Sequence, residues 1–358
     1  MASIVNDLQA DREAVAALRG MSVPHHRQAY SDRTAWIMAC VSELAYIRFN
    51  ELMSEAAQRR FNDVLEALID EDRIEKVRSV LSDLAYDPSQ EKKELESGLD
   101  VLEFKLDATF DRDGTQAIVV SCDEFLVLGF RGTEATSVKD IKADAKAISM
   151  KAPNEGRIHS GFDEAFRAVQ PDIQTWLDCS DDSEKPLFIT GHSLGGALAT
   201  VAARRLMHPG GIAGCYTFGA PRVGDDDWIA WLKTPLYRLV NAADCVTMLP
   251  PGAITIDVLS WSLSWIPAYG DLLQAWVLRK FGGYIHGGNM RYLTNCPAGQ
   301  FEQVRLLYSV SLLTRIKGLI IRGLPWKYFL ADHAISVYRK KLAIVAEARN
   351  PSSGAIWR

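Results

Sequence analysis

Cysteine is sparse and scattered. The chain of 358 residues holds six, Cys40, Cys122, Cys179, Cys215, Cys245 and Cys296, with no CxxC pair and no histidine at ligand spacing. That excludes a zinc ribbon and a disulfide-stapled scaffold, and leaves free thiols in a reducing compartment as the plain reading. A long uncharged apolar run is also missing. The nearest, Leu306 to Ile321, is broken by Arg315 and Lys317, whereas a spanning helix needs roughly 18–20 such residues. There is no basic excess: 40 Lys+Arg stand against 45 Asp+Glu, a formal net charge of -5, which excludes nucleic acid as the main partner. With Gly 25 and Pro 14, and no internal repeat, collagen-like, low-complexity and repeat architectures fall away. The opening residues, Met1 to Val15, carry neither a basic nor an apolar leader region. No cleavable secretory signal is read, and the expected location is cytoplasmic, with signal-independent export left open.

What is present suits a packed protein: 48% hydrophobic and 24% charged residues offer enough apolar surface to offset chain entropy. Acids concentrate in the first hundred residues. The later part of the chain is the place for any anion or membrane-surface patch. Thr34 to Phe49 and Phe61 to Leu84 place apolar residues three and four apart, as amphipathic helices do. Glu91 to Asp100 reads as a solvated linker or helix end. From Leu102 the period changes. Leu102 to Phe110, Thr115 to Cys122 and Glu124 to Phe130 are short β-rich runs, the first two joined by the turn signal Asp111-Arg112-Asp113-Gly114. Further on, strands at Pro186 to Thr190, Cys215 to Pro221 and Leu236 to Val240 alternate with helix, notably Gly195 to Met207. That alternation predicts an α/β fold: a central, mostly parallel sheet with helices on both faces. The predicted organisation is a helical N-terminal extension over 1–100 packed on a catalytic domain over 101–345, then a tail over 346–358.

Chemistry concentrates in Gly191-His192-Ser193-Leu194-Gly195-Gly196. The pattern G-x-S-x-G alone has roughly a one-in-ten chance of arising in a chain this long. Here a strand runs straight into it and a helix straight out, the setting a nucleophile elbow requires. The helix start offers a positive dipole end and unpaired N–H groups. A serine hydroxyl needs a base, and the base an orienting carboxylate. In the chain order Ser, Asp, His, two histidines qualify, His286 and His333. Asp244, in a loop after the Leu236 strand, is the favoured acid. Asp225, Asp226 and Asp227 are rivals, although such a run usually marks a solvated turn.

Several motifs in order carry a resemblance: Phe130-Arg131-Gly132-Thr133, His159-Ser160-Gly161-Phe162, the Ser193 elbow, Thr217-Phe218-Gly219-Ala220-Pro221-Arg222-Val223-Gly224-Asp225, the Asp244 segment, and Asp332-His333-Ala334-Ile335-Ser336-Val337-Tyr338. Over roughly 115–345 the chain resembles the lipase class 3 family, the filamentous-fungal-lipase-like α/β-hydrolases, and is expected to be a bacterial member. The resemblance implies Ser193 as nucleophile, Asp244 as orienting acid and His333 as general base. It implies an oxyanion hole from Thr133 and the backbone N–H of Leu194. Tyr284-Ile285-His286-Gly287-Gly288 matches another family element in which the histidine is structural. His192, inside the elbow, is expected to be a packed neighbour rather than a reactant. The resemblance implies no metal and no organic cofactor.

Family members place a lid after the oxyanion segment. Ser137-Val138-Lys139-Asp140 reads as a capping box, followed by a narrow stripe of Val138, Ile141, Ala145 and Ile148. A lid and an ordinary surface helix both fit. Residues 252–282 form an insertion into the family pattern with Trp261, Trp265 and Trp276. Gln303 to Ala331 brings Arg305, Arg315, Lys317, Arg322 and Lys327 without an acid. A surface resting on an anionic membrane or lipid droplet and a cap over an acyl pocket both remain open. The expected activity is a serine carboxylic-ester hydrolase acting on triacylglycerol or a similar lipid or small-molecule ester. The rivals are a phospholipase or lysophospholipase, and a non-catalytic lipid-binding protein on the same scaffold.

Overall fold

The computed structural model describes residues 4–20, 23–26, 28–47, 88–132, 149–152, 156–250, 283–297, 299–311 and 331–349. Helices α1 (Ile4–Ala10), α2 (Arg12–Arg19), α3 (Asp32–Leu44) and α4 (Pro88–Val101) precede strands β1 (Lys105–Arg112), β2 (Thr115–Ser121) and β3 (Leu126–Phe130). A hairpin of β4 (Ser149–Ala152) and β5 (Gly156–His159) leads into α5 (Ser160–Cys179). Then come β6 (Leu187–His192), α6 (Leu194–Arg205), β7 (Ile212–Phe218), α7 (Asp226–Ala230), β8 (Leu236–Asn241), β9 (Asn289–Leu293), β10 (Leu306–Leu307) and α8 (Ile335–Arg349).

The described strands other than β4 and β5 form one sheet in the order β1-β2-β3-β6-β7-β8-β9-β10. Its centre, β3, β6, β7, β8 and β9, is parallel, and the flanking pairs are antiparallel. Central strands read as unbroken apolar runs because both faces are covered. One face carries α5 and α6. Phe162, Phe166, Val169, Ile173 and Leu177 form the buried stripe of α5, and Ala197, Leu198, Val201 and Ala202 that of α6. The other face carries the N-terminal helices together with α8. Helix α3 is buried nearly all round, as expected of a helix held between a sheet and a second helix. Its Ser42 hydroxyl meets that of Thr190 on β6 at 2.9 Å.

The parallel-centred sheet with helices on both faces is the α/β architecture the strand–helix alternation predicts, and it agrees with the α/β-hydrolase fold the family resemblance implies. The β1–β2 turn has Asp113 at φ 51 and Gly114 at φ 79, positive at both central positions as a tight hairpin requires. The acidic stretch around Glu91 differs from the linker reading: it is part of α4, because Leu95 and Leu99 recur on one face and are buried. The predicted Phe61 to Leu84 helix, the lid stripe, the Trp-bearing insertion, all but 303–311 and 331 of the basic stretch, and the tail beyond 349 lie outside the described residues.

Candidate active site

Parallel strands end on one edge of the sheet, and the chain's polar motifs collect there. Strand β6 runs out at His192, and α6 begins at Leu194. Ser193 between them takes φ 56, ψ -126, a region non-glycine residues rarely adopt and one that recurs at functional sites. Its N–H is held by the Phe218 carbonyl of the neighbouring β7 at 2.9 Å. Gly191 and Gly195 are demanded by close approach: a Cβ on either would overlap backbone, the Gly195 carbonyl in one case and the Phe130 carbonyl in the other. The spacing of small residues around Ser193 thus follows from a strand and a helix leaving one tight corner.

Three side chains line up at this corner. Ser193 Oγ lies 2.9 Å from His333 Nε2, and His333 Nδ1 lies 2.9 Å from Asp244 Oδ2. All three are buried. Since a carboxylate only accepts, the Nδ1–H donates to Asp244, which leaves Nε2 as the acceptor facing the serine hydroxyl. Asp244 follows β8, and its second oxygen, Oδ1, accepts the Val246 N–H at 3.0 Å. Tyr338, on α8, donates to Asp244 Oδ2 at 2.6 Å and accepts the Asn241 N–H at 3.0 Å.

The helical turn bearing His333 is tied to the end of β8 by further bonds. Asn241 Nδ2 donates to the Asp332 carbonyl at 2.8 Å, and the Asp332 carboxylate accepts the Ala243 N–H at 3.2 Å. The buried ammonium of Lys341 donates to Asn241 Oδ1 at 2.6 Å and to the Thr294 carbonyl at 2.8 Å. The sequence reading assigned roles to neither Lys341 nor Asn241. Tyr338 stood in a quoted motif without a role, and only the folded geometry supplies one.

The remaining candidates fall elsewhere. His286 donates through Nε2 to the Thr247 carbonyl at 2.6 Å, so it braces the turn after Asp244. Asp225 caps α7 through the Trp228 N–H at 2.9 Å and pairs with Arg157; Asp226 and Asp227 are exposed. Leu194 is the first residue of α6, where a backbone N–H has no intrahelical acceptor. Thr133 lies outside the described residues. His159 is buried against Phe162, ring centroids 4.0 Å apart. Neither of its ring nitrogens has a partner among the described residues, and burial pulls its pKa down to about 4.

A buried serine, imidazole and carboxylate in this row can deliver an alkoxide-like oxygen to a carbonyl carbon. The chain is 39% identical over 100 residues to "Secreted mono- and diacylglycerol lipase 1" of Fusarium solani, covering 26% of this chain and 30% of that one. It is 32% identical over 155 residues to "Lipase" of Rhizomucor miehei, covering 39% and 42%. The chain thus spans less than half the length of these relatives. Among solved structures it resembles "Lipase II from Rhizopus niveus" with TM-score 0.48 and 19% identity, over 85% of this chain and 94% of that one. The relatives include fungal and plant proteins, and the expectation of a bacterial member is not borne out. Residues 127–253, from β3 through the Asp244 loop, match the sequence model of the family described as lipase (class 3).

Proposed function

We propose that this chain is a serine carboxylic-ester hydrolase that acts on lipid esters through an acyl-enzyme. The carrying observation is the hydrogen-bonded row from Ser193 through His333 to Asp244, 2.9 Å at each step. Ser193 Oγ attacks the ester carbonyl carbon while its proton passes to His333 Nε2. Asp244 holds the proton on Nδ1 and stabilises the imidazolium that forms. The carbonyl electron pair moves onto oxygen, where the Leu194 N–H and Thr133 are the donors in this reading; one such donor is worth about 3–4 kcal/mol. When the tetrahedral intermediate collapses, the C–O bond to the alcohol breaks and His333 returns the proton to the leaving oxygen. Water then repeats the sequence on the acyl-enzyme, with His333 as base.

A peripheral lipid-surface contact belongs to the same proposal. It is supported by the sequence alone, through Trp261, Trp265 and Trp276 and the cations of the stretch from Arg305 to Lys327.

A fluorophosphonate probe combined with p-nitrophenyl esters of increasing chain length tests the reading. Rapid labelling at Ser193 with hydrolysis extending to long acyl chains is the expected result. An inert serine in a folded chain would leave the non-catalytic lipid-binding reading standing. Comparing triacylglycerol with phospholipid turnover separates the two hydrolase readings.

A further inference from the structure

His192 precedes the serine, yet both of its ring nitrogens are bonded outside the Ser193–His333–Asp244 side-chain row. Its Nε2 lies 2.6 Å from the His333 backbone carbonyl and its Nδ1 lies 2.7 Å from the Tyr46 hydroxyl. The His192 and His333 rings are 4.5 Å apart at their centroids. A carbonyl can only accept, so Nε2 carries the proton; in a neutral ring Nδ1 is then the acceptor and Tyr46 the donor. The ring is neutral because burial, and then the neighbouring His333, hold the pKa of His192 well below its ordinary value. Tyr46 follows α3, in a part of the chain that supplies none of the reacting groups. Its hydroxyl also crowds Gly132, next to Thr133, since a Cβ there would overlap it.

We propose that Tyr46 and His192 are positioning residues for His333. Tyr46 fixes the His192 tautomer, and His192 in turn anchors the His333 backbone carbonyl so that the imidazole stays in line between Ser193 and Asp244. The α3 layer thereby sets the angle of the base from beneath the sheet edge. This rests on the hydrolase reading above. The physical basis is that a hydrogen-bond chain through the buried His192 and the half-buried Tyr46 holds one geometry, and that an imidazole displaced by even ~1 Å can lose about a hundredfold in rate.

The test compares Tyr46→Phe, His192→Leu and His192→Gln with the unaltered chain on p-nitrophenyl butyrate, together with the rate of fluorophosphonate labelling and the thermal midpoint. His192→Leu is expected to lower kcat and labelling rate about tenfold or more, with KM changed by less than about twofold, because the loss lies in aligning the base rather than in binding. His192→Gln, whose amide N–H can still reach the His333 carbonyl, is expected to recover part of that loss at similar thermal stability. Tyr46→Phe, which removes one oxygen, is expected to lower kcat about threefold or more. A change confined to the thermal midpoint, with kcat intact in Tyr46→Phe and His192→Gln, overturns the proposal. So does a His192→Gln variant no better than His192→Leu at equal stability. An unaltered chain that neither hydrolyses the ester nor takes up the probe overturns the hydrolase reading and this proposal with it. A reactive unaltered chain matched by all three variants overturns the positioning role alone.

Discussion

Tyr338 and His333 meet on the same atom: Asp244 Oδ2 accepts the tyrosine hydroxyl at 2.6 Å and the imidazole Nδ1–H at 2.9 Å. With Oδ1 taken by the Val246 N–H, the buried carboxylate is held from both sides, and the site has no slack for it to rotate.

Tyr338→Phe is therefore expected to lower kcat several-fold while leaving KM nearly unchanged. It also strands the Asn241 N–H, which the hydroxyl accepts. A stability loss of about 1–3 kcal/mol follows from that unpaired buried donor. Steady-state kinetics and denaturant midpoints check the two effects separately. Unaltered kcat would mean that the other bonds to Asp244, those of Val246 and His333 among them, suffice to fix it.

The reacting row sets a ranking among substitutions. Ser193→Ala and His333→Ala are expected to cost about a millionfold in kcat, and Asp244→Asn about ten-thousandfold, by analogy with other serine hydrolases. His286→Ala is expected to retain most turnover, since its Nε2 is spent on the Thr247 carbonyl. Turnover of a short soluble ester by purified variants checks the order. A His286→Ala variant as inactive as His333→Ala would reverse the choice of base.

Much of the sheet was legible because its strands are apolar runs between turn signals. Asp113-Gly114 marks the β1–β2 hairpin, and the elbow's glycines mark where β6 gives way to α6. The motif residues Ser193, Asp244 and His333 could be named from the sequence, but their spacing along the chain does not fix their contacts. Other features depend on tertiary neighbours and were not legible. Helix α4 carries enough charge to read as solvated, and only the burial of Leu95 and Leu99 shows its inner face. Tyr46 lies within the helical pattern of Thr34 to Phe49 with nothing in the sequence to mark it, and the fold places its hydroxyl on His192. Lys341 drew no reading from the sequence, and it is buried where Asn241 and Thr294 supply acceptors.

Arg339 joins α8 to the N-terminal helices, donating through Nε to Glu43 at 2.6 Å and through Nη2 to Asp7 at 2.9 Å. Burial pushes the Glu43 carboxyl up, against the pull of Arg339. Removing the arginine leaves a desolvated acid without its partner. Arg339→Met is expected to destabilise the fold by about 3–5 kcal/mol, whereas the double change Arg339→Met with Glu43→Leu recovers most of that loss. Chemical denaturation of the single and double variants checks this. A double variant as unstable as the single one would mean that packing of the arginine stem, not its charge, is what α8 needs.

His159 makes stability depend on acid. In the folded chain it takes a proton only near pH 4, because burial disfavours the imidazolium; its ordinary value is 6.5. As pH falls through 6.5 the unfolded chain binds that proton first, so the unfolded state is favoured increasingly down to about pH 4 and no further below it. The contribution is fully present above 6.5. His192, also pulled down by burial, acts in the same direction, so His159 must be isolated by difference. His159→Phe keeps a ring against Phe162 and removes nitrogens that have no partner among the described residues. It is expected to leave stability at neutral pH equal or higher, since no hydrogen bond among the described residues is lost, and to shrink the fall in thermal midpoint between pH 6.5 and 4. Parallel pH profiles for the two proteins would sink the assignment, because a histidine protonated equally in both states cannot tilt the balance.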